Sequence, residues 1–268
     1  MMALDTLKTL DLTKCEVIAD GKSKTIYKID EETGFMVYKP HLRSVTYNRE
    51  EMIPGTDLYR MYATIGILNT LEDSNIPTHL KYSKIIKVNG IYGILVKLTK
   101  PVPIEWICRY YAAGSIVRLF PGYVVEGQKF KRPLHKYDIK IDVSKTGGVD
   151  DPTMNESYII GLDLLSKEEF DEADLLLSSI GSRINFLFQK ADIRLIDMKM
   201  EFGKCDGKMI LIDEISQDCI RANDVKTGRT LTKDAFRQMK SDEEILKVYK
   251  EFLDRLYPNY ESFVYVLD

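Results

Sequence analysis

Between residues 24 and 39, two short runs rich in Ile, Tyr, Phe and Val flank the polar stretch Asp30-Glu31-Glu32-Thr33-Gly34, which predicts two strands joined by a turn. Over residues 57–75 the apolar positions Leu58, Met61, Tyr62, Ile65, Leu68 and Leu71 recur at helical spacing, and Pro77 stands just beyond. That spacing predicts a helix. Residues 82–88 and 91–98 are β-rich runs separated by Asn89-Gly90, a pair that tolerates the positive φ angles of a tight hairpin turn. Pro101 and Pro103 then interrupt the chain before a strand over 104–109, making residues 98–103 the expected hinge between two lobes. Residues 122–151 show no sustained period and read as loop with some strand. Ser166 with Glu169, and Ser241 with Glu244, have the spacing of capping boxes, and helical apolar faces follow both. The order of strands, helix, strands, loop, helix, strands, helix predicts an α+β fold rather than a regular βαβ winding.

Strict alternation over residues 193–202 puts Asp197, Lys199 and Glu201 on one face of a strand and Ile196, Met198, Met200 and Phe202 on the other. A second, more apolar run over 209–215 ends at Asp213 and Glu214. Glu201 faces Asp213 across the hairpin if the loop has three residues centred on Gly207. A two-residue turn at Asp206-Gly207 sends Asp213 to the opposite face. In the first case two carboxylates and a lysine converge, which suits a magnesium ion held against nucleotide phosphates. In isolation the row also reads as a solvent-facing set of mixed charges.

Hydrophobic residues at 44% and charged ones at 29% support a sizeable core without cross-links. Cys15, Cys108, Cys205 and Cys219 lack metal-site spacing and fit reduced thiols in a cytoplasmic protein. The net charge of -3 supplies no basic field for nucleic acid, and no apolar stretch reaches the length of a membrane span. Small anionic metabolites, which need local cations alone, fit better. Gly21-Lys22-Ser23-Lys24 offers backbone N–H groups and two ammonium heads to phosphates, or is an exposed basic turn. Arg109, followed by Ala112-Ala113-Gly114-Ser115 ahead of a short helix, offers a second anion site, with Ser115 as N-cap in the simpler reading. Trp106, between Ile104 and Ile107, reads as core packing.

In order and spacing, Gly21 to Lys24, Glu105 through Arg109 to Ser115, Asp151-Pro152, Asp197 through Glu201 to Gly203, and Asp213-Glu214 to Asp218 and Arg221 resemble the SAICAR synthetase family. The match runs from about residue 16 to the C-terminus, and residues 104–109 with Met198-Lys199-Met200 are similar to the synthetase part of the bifunctional animal-type enzyme. The resemblance implies an ATP-dependent ligase of purine biosynthesis that joins L-aspartate to carboxyaminoimidazole ribonucleotide, with SAICAR, ADP and phosphate as products, by way of an acyl phosphate. It implies an N-terminal antiparallel lobe over residues 1–98, a larger α+β lobe over 99–268, and ATP in the cleft between them. Lys22, Ser23, Lys24 and Lys97, with Lys199 and Glu201, are then expected on ATP, and Glu201 and Asp213 on Mg²⁺. Lys199 and Lys145 are the expected catalytic lysines, with Lys140 competing for the role of Lys145. Arg109, Ser115, Arg221, Asn48, Asp218, Lys233 and Arg237 are expected on the substrates. Partners are small molecules, with no nucleic acid or membrane, and a homo-oligomer is left open. The sequence departs from the family over residues 39–56, where Asn48 takes the substrate-facing place beside a bulky Arg49.

Overall fold

Asn89 and Gly90 take φ angles of 50° and 80°, so the hairpin between β6 (Leu80–Val88) and β7 (Ile91–Lys97) closes in two residues, as the Asn-Gly pair predicts. The computed structural model describes residues 7–8, 11–44, 47–140 and 152–267. The β6–β7 hairpin belongs to an antiparallel sheet that also holds β1 (Val17–Asp20), β2 (Lys24–Lys28) and β3 (Thr33–Tyr38) in the order β1-β2-β3-β7-β6. A last strand, β14 (Val264–Val266), joins β6 in parallel, so this sheet draws on both ends of the chain. β1 precedes the first expected hairpin, and Gly21-Lys22-Ser23 is therefore the turn of an earlier one. β4 (His41–Ser44) and β5 (Arg49–Met52) form a separate two-stranded ladder.

The second sheet runs β10-β9-β8-β11-β12 and contains β8 (Lys100–Tyr111), β9 (Lys129–Ile139), β10 (Thr153–Met154), β11 (Ile193–Cys205) and β12 (Lys208–Ile212). Pro101 and Pro103 lie within β8 rather than ahead of it. The ladder tolerates them because β9 last pairs at Ile104↔Ile139, leaving this end of β8 open on one side. The stretch after Gly122 read as loop with some strand contains the 11-residue strand β9, whose Lys-rich, half-exposed sequence masks its period. β8 packs along one edge of β11, while β13 (Ile220–Asp224) and β12 divide the other edge between them. The chain between those two strands therefore leaves the ladder beside Lys199, whose backbone N–H donates to the Cys219 carbonyl at 2.9 Å.

Helices cover the sheets. α1 (Thr56–Glu72) packs on β3, β6 and β7, and α2 (Ser115–Leu119) and α3 (Glu156–Gly161) follow. α4 (Lys167–Lys190) lies against β8, β11 and β12, while α5 (Asp234–Arg237) leads to α6 (Asp242–Leu256), which packs on α1. Ser166 and Ser241 complete both expected capping boxes, so the starts of α4 and α6 are set locally. Trp106 is fully buried against Tyr137, Phe170 and Phe202, so it is core packing. Burying each such ring contributes about 1.5–3 kcal/mol. Among the described residues, no helix is long and apolar enough to cross a membrane.

Candidate active site

The turn of the β11–β12 hairpin is the two-residue one. Asp206 and Gly207 have φ angles of 51° and 75°, Cys205 pairs with Lys208, and Glu201 faces Ile212. The three-residue loop that would set Glu201 opposite Asp213 is thus corrected. Regular extension would turn Asp213 away, but β12 ends at Ile212 and Asp213 takes φ 68°, a left-handed angle that Asp tolerates better than most residues. Asp213 consequently lines the same cleft as Glu201.

This cleft, about 1040 Å³, is lined from the first sheet by the Gly21 to Lys24 turn, His79 and Lys97, and from the second by Glu105, Lys199 and Glu201. Gly21 N–H donates to the Lys24 carbonyl at 2.9 Å, closing the turn. Lys22 points to Glu50 on the rim at 3.2 Å, whereas Lys24 reaches Asp213 at 2.9 Å and Glu214 at 3.2 Å. Lys97 donates to the Thr78 carbonyl at 3.2 Å. Glu201 stands opposite Glu105 on β8, a pairing of like charges that needs cations beside it. Lys199 supplies one at 2.6 Å from Glu105, and Lys140 the other at 2.8 Å from both oxygens of Glu201. Lys140 thus reaches the site, whereas Lys145 and Asp151 lie outside the described residues.

Burial and the neighbouring Asp213 charge raise the Glu201 carboxyl above its ordinary range, with Lys140 opposing. Burial pulls the Lys199 ammonium down, but Glu105 outweighs it and the net shift is upward, so Lys199 stays charged. Two hard carboxylate donors that repel one another suit Mg²⁺, which takes one or two carboxylates and completes its shell with phosphates and water. Among the described residues there is no cluster of three or more acidic, His or Cys ligands, so a dedicated protein cage is absent there.

Past Lys199 the cleft continues into a cavity of about 140 Å³ that shares Lys199, Asp218, Cys219 and Arg237 with it. Asp197 sits between Arg109 on β8 and Arg221 on β13 in register, and its Oδ2 accepts from both guanidinium groups at 3.0 Å. Three adjacent strands thereby aim two arginines at one place. Arg109 also lines a third cavity of about 580 Å³, with Ser115, Leu119, Phe120 and Lys136. Ser115 is the first residue of α2, not its cap; the cap is Gly114 at φ 66°, where a Cβ would lie 3.0 Å from Arg221 Nη1. Lys233 holds Asp218 at 2.9 Å and Arg237 holds Asp234 at 2.6 Å.

Asn48 departs from expectation, since it is exposed in the β4–β5 turn at φ 45° and is not part of the cleft wall. Its neighbour Arg49 is drawn away onto the Phe236 ring and the Phe236 carbonyl, at 2.6 Å from the latter. Sequence reasoning gave no role to Glu105, Asp197, Glu214 or Arg60. Asp197 shares its face with Lys199, and Thr56, Arg60 and Thr64 make a buried polar stripe at i, i+4 and i+8 on α1, a signal overlooked among the apolar positions. Arg60 donates to both oxygens of Glu214, which also accepts from Ser216 and Lys24. Burial raises the Glu214 carboxyl, but Arg60 and Lys24 outweigh it and hold it well below the usual range.

Comparison with known proteins follows the same lines. The family model described as SAICAR synthetase matches residues 17–256. A phosphoribosylaminoimidazole-succinocarboxamide synthase of Thermoanaerobacter sp. is 33% identical over 246 residues, covering 91% of this chain and 99% of the relative. The crystal structure of such a synthase from Ehrlichia chaffeensis superposes with a TM-score of 0.79 at 28% identity, covering 90% of this chain and 98% of the other. A SAICAR synthetase (Type-2) in complex with ADP has the same TM-score and identity, covering 91% and 98%.

Proposed function

Because this chain belongs to the SAICAR synthetase family, we propose that it is an ATP-dependent ligase joining L-aspartate to carboxyaminoimidazole ribonucleotide, with SAICAR, ADP and phosphate as products. The observation that carries this reading is the single row Asp197, Lys199, Glu201 on β11, which runs from a pair of arginines to a carboxylate pair beside the lysine-bearing turn. A nucleotide's phosphates suit one end and a phosphorylated ribonucleotide the other.

In the first step a carboxylate oxygen of the ribonucleotide attacks the γ-phosphorus, the bond to the bridging oxygen breaks, and ADP leaves with its electrons. In the second, the amine of aspartate attacks the acyl carbon and the carbon–oxygen bond to phosphate breaks. Lys22, Ser23, Lys24 and Lys97 hold the triphosphate, and Lys199 neutralises charge that grows on the transferred group. Arg109, Ser115 and Arg221 hold the ribonucleotide, with Asp197 keeping both guanidinium groups aimed, while Lys233 and Arg237 face the remaining anionic groups. Glu201 and Asp213 would hold Mg²⁺, which supplies Lewis-acid stabilisation of the phosphates when bound. Lys24 on Asp213 and Lys140 on Glu201 rest on the two carboxylates that would hold the metal, so both ammonium groups stand beside the place of the phosphates.

The test is an ADP-release assay with Mg-ATP, carboxyaminoimidazole ribonucleotide and L-aspartate, omitting each in turn, with the product identified by mass. ADP and SAICAR formed when all three are present support the reading. ADP without SAICAR points to another acceptor.

A further inference from the structure

The second step needs a group that accepts a proton. Aspartate arrives with its α-nitrogen as an ammonium, whose lone pair is occupied, so attack on the acyl carbon waits on deprotonation. Six carboxylates line the two joined cavities: Glu105, Asp197, Glu201, Asp213, Glu214 and Asp218. Five hold cations. Glu105 takes Lys199, Asp197 takes Arg109 and Arg221, Glu201 takes Lys140 on both oxygens, Asp213 takes Lys24, and Glu214 is engaged on both oxygens by Arg60.

Asp218 differs. Its Oδ2 accepts from Lys233 at 2.9 Å, whereas its buried Oδ1 has no hydrogen-bond partner among the described residues. Leaving a buried carboxylate oxygen unpaired is costly, and a ligand donor would relieve it. The position is also the required one. Asp218 lines both the large cleft and the smaller arginine cavity, and the acyl carbon must lie where those meet, attached on the arginine side and phosphorylated from the other. The Asp218 N–H donates to Ser216 Oγ at 3.0 Å, which fixes the loop.

The charged and titratable groups around it come from every neighbouring element: Lys233 and Arg237 near α5, Lys199 from β11, Arg60 from α1, Tyr249 from α6, and Glu214 and Cys219 from its own loop. Arg60, Lys199 and Arg237 are bonded to Glu214, Glu105 and Asp234 respectively, so none of the three occupies Asp218 Oδ1, and the buried Tyr249 hydroxyl is likewise without a partner among the described residues.

Resting on the ligase reading above, we propose that Asp218 receives the ammonium of aspartate on Oδ1 and takes its proton. The freed lone pair forms the carbon–nitrogen bond, the carbon–oxygen bond to phosphate breaks, and the departing phosphate takes the second nitrogen proton as the amide forms. Asp218 is on this account a catalytic residue for the second step.

The experiment measures amide formation against pH for the wild type and Asp218→Asn, at saturating Mg-ATP and ribonucleotide, with ADP affinity as the check on folding. At neutral pH the variant loses about 10²-fold or more in kcat/KM for aspartate, the scale of a missing general base. It recovers about tenfold per pH unit as the free-amine fraction grows, while the wild type does not. A variant whose profile runs parallel to the wild type, or whose rate is unchanged, overturns the assignment. Should Asp218→Asn not fold, Asp218→Glu carries the test, since it keeps the charge and shifts the oxygen by one methylene. A rise of about tenfold in KM for aspartate is expected on the scale of a displaced charge-assisted hydrogen bond, and an unchanged KM overturns the assignment. A wild-type chain that forms no amide at any pH fails the ligase reading itself, whereas an active wild type with a parallel Asp218→Asn profile fails the Asp218 assignment alone.

Discussion

Arg60 grips Glu214 at two points, 2.7 Å from Nε to Oε1 and 2.6 Å from Nη2 to Oε2, with the two side chains 0% and 1% exposed. The pair ties α1, which packs on the first sheet, to the loop that carries Asp213 beside the second. Removing one member of a buried pair strands the other, at about 3–5 kcal/mol. Arg60→Met is expected to lose stability near the lower end, because Lys24 and Ser216 still contact Glu214. Denaturant unfolding with an unchanged midpoint would remove this role. The pH sign follows from the lowered Glu214 carboxyl: its contribution is present above the ordinary value of 4.5 and is lost as pH falls below it, and Arg60→Met should flatten that acid limb.

His79 titrates earlier in the same direction. Burial, the largest cause, pulls its imidazole from 6.5 to about 4, although Asp213 opposes the shift. The unfolded chain therefore binds the proton first, and stability is full above 6.5 and falls as pH drops toward 4. Between neutral pH and about pH 5 this costs the wild type about 2 kcal/mol. His79→Gln should remove that part of the slope, as read from denaturant midpoints at the two pH values; an identical slope would contradict it.

Asp197→Asn should leave ADP affinity intact while raising KM for the ribonucleotide, because Arg109 and Arg221 lose their shared acceptor. The loss of charge-assisted hydrogen bonds worth about 1.5–3 kcal/mol corresponds to roughly ten- to a hundredfold. Steady-state kinetics with each substrate varied in turn separates the two, and equal losses on both would refute an orienting role.

Gly114→Ala tests the same arginine from the other side. At φ 66° and ψ -126° an alanine is strained by about 1–3 kcal/mol, and its Cβ would lie 3.0 Å from Arg221 Nη1. Lower thermal stability together with weaker ribonucleotide binding is expected. Weakened stability with unaltered binding would place Arg221 away from the substrate.

Much of this site could be read from residues alone, for physical reasons that also mark the failures. Period-two alternation placed Asp197, Lys199 and Glu201 on one face because a strand allows no other outcome. The position of Asp213 was not legible by that rule: the two-residue turn gives the wrong parity, and a single left-handed residue restores it. Arg60 was hidden within an apolar helix because its partner lies 154 residues away. β9 was expected as some strand within residues 122–151 but could not be bounded, since a half-exposed strand rich in lysine carries little periodic signal. That Lys140 reaches Glu201 is a matter of where a chain turns, which side-chain type does not encode.

Activation of a carboxylate by phosphoryl transfer within this cleft is the central claim, and an isotope tests it most directly. Ribonucleotide carrying oxygen-18 in its carboxylate is turned over with ATP and L-aspartate, and the released phosphate is analysed by mass. Transfer of the label from the carboxylate into phosphate is the predicted result, whereas amide formation with unlabelled phosphate would contradict the account.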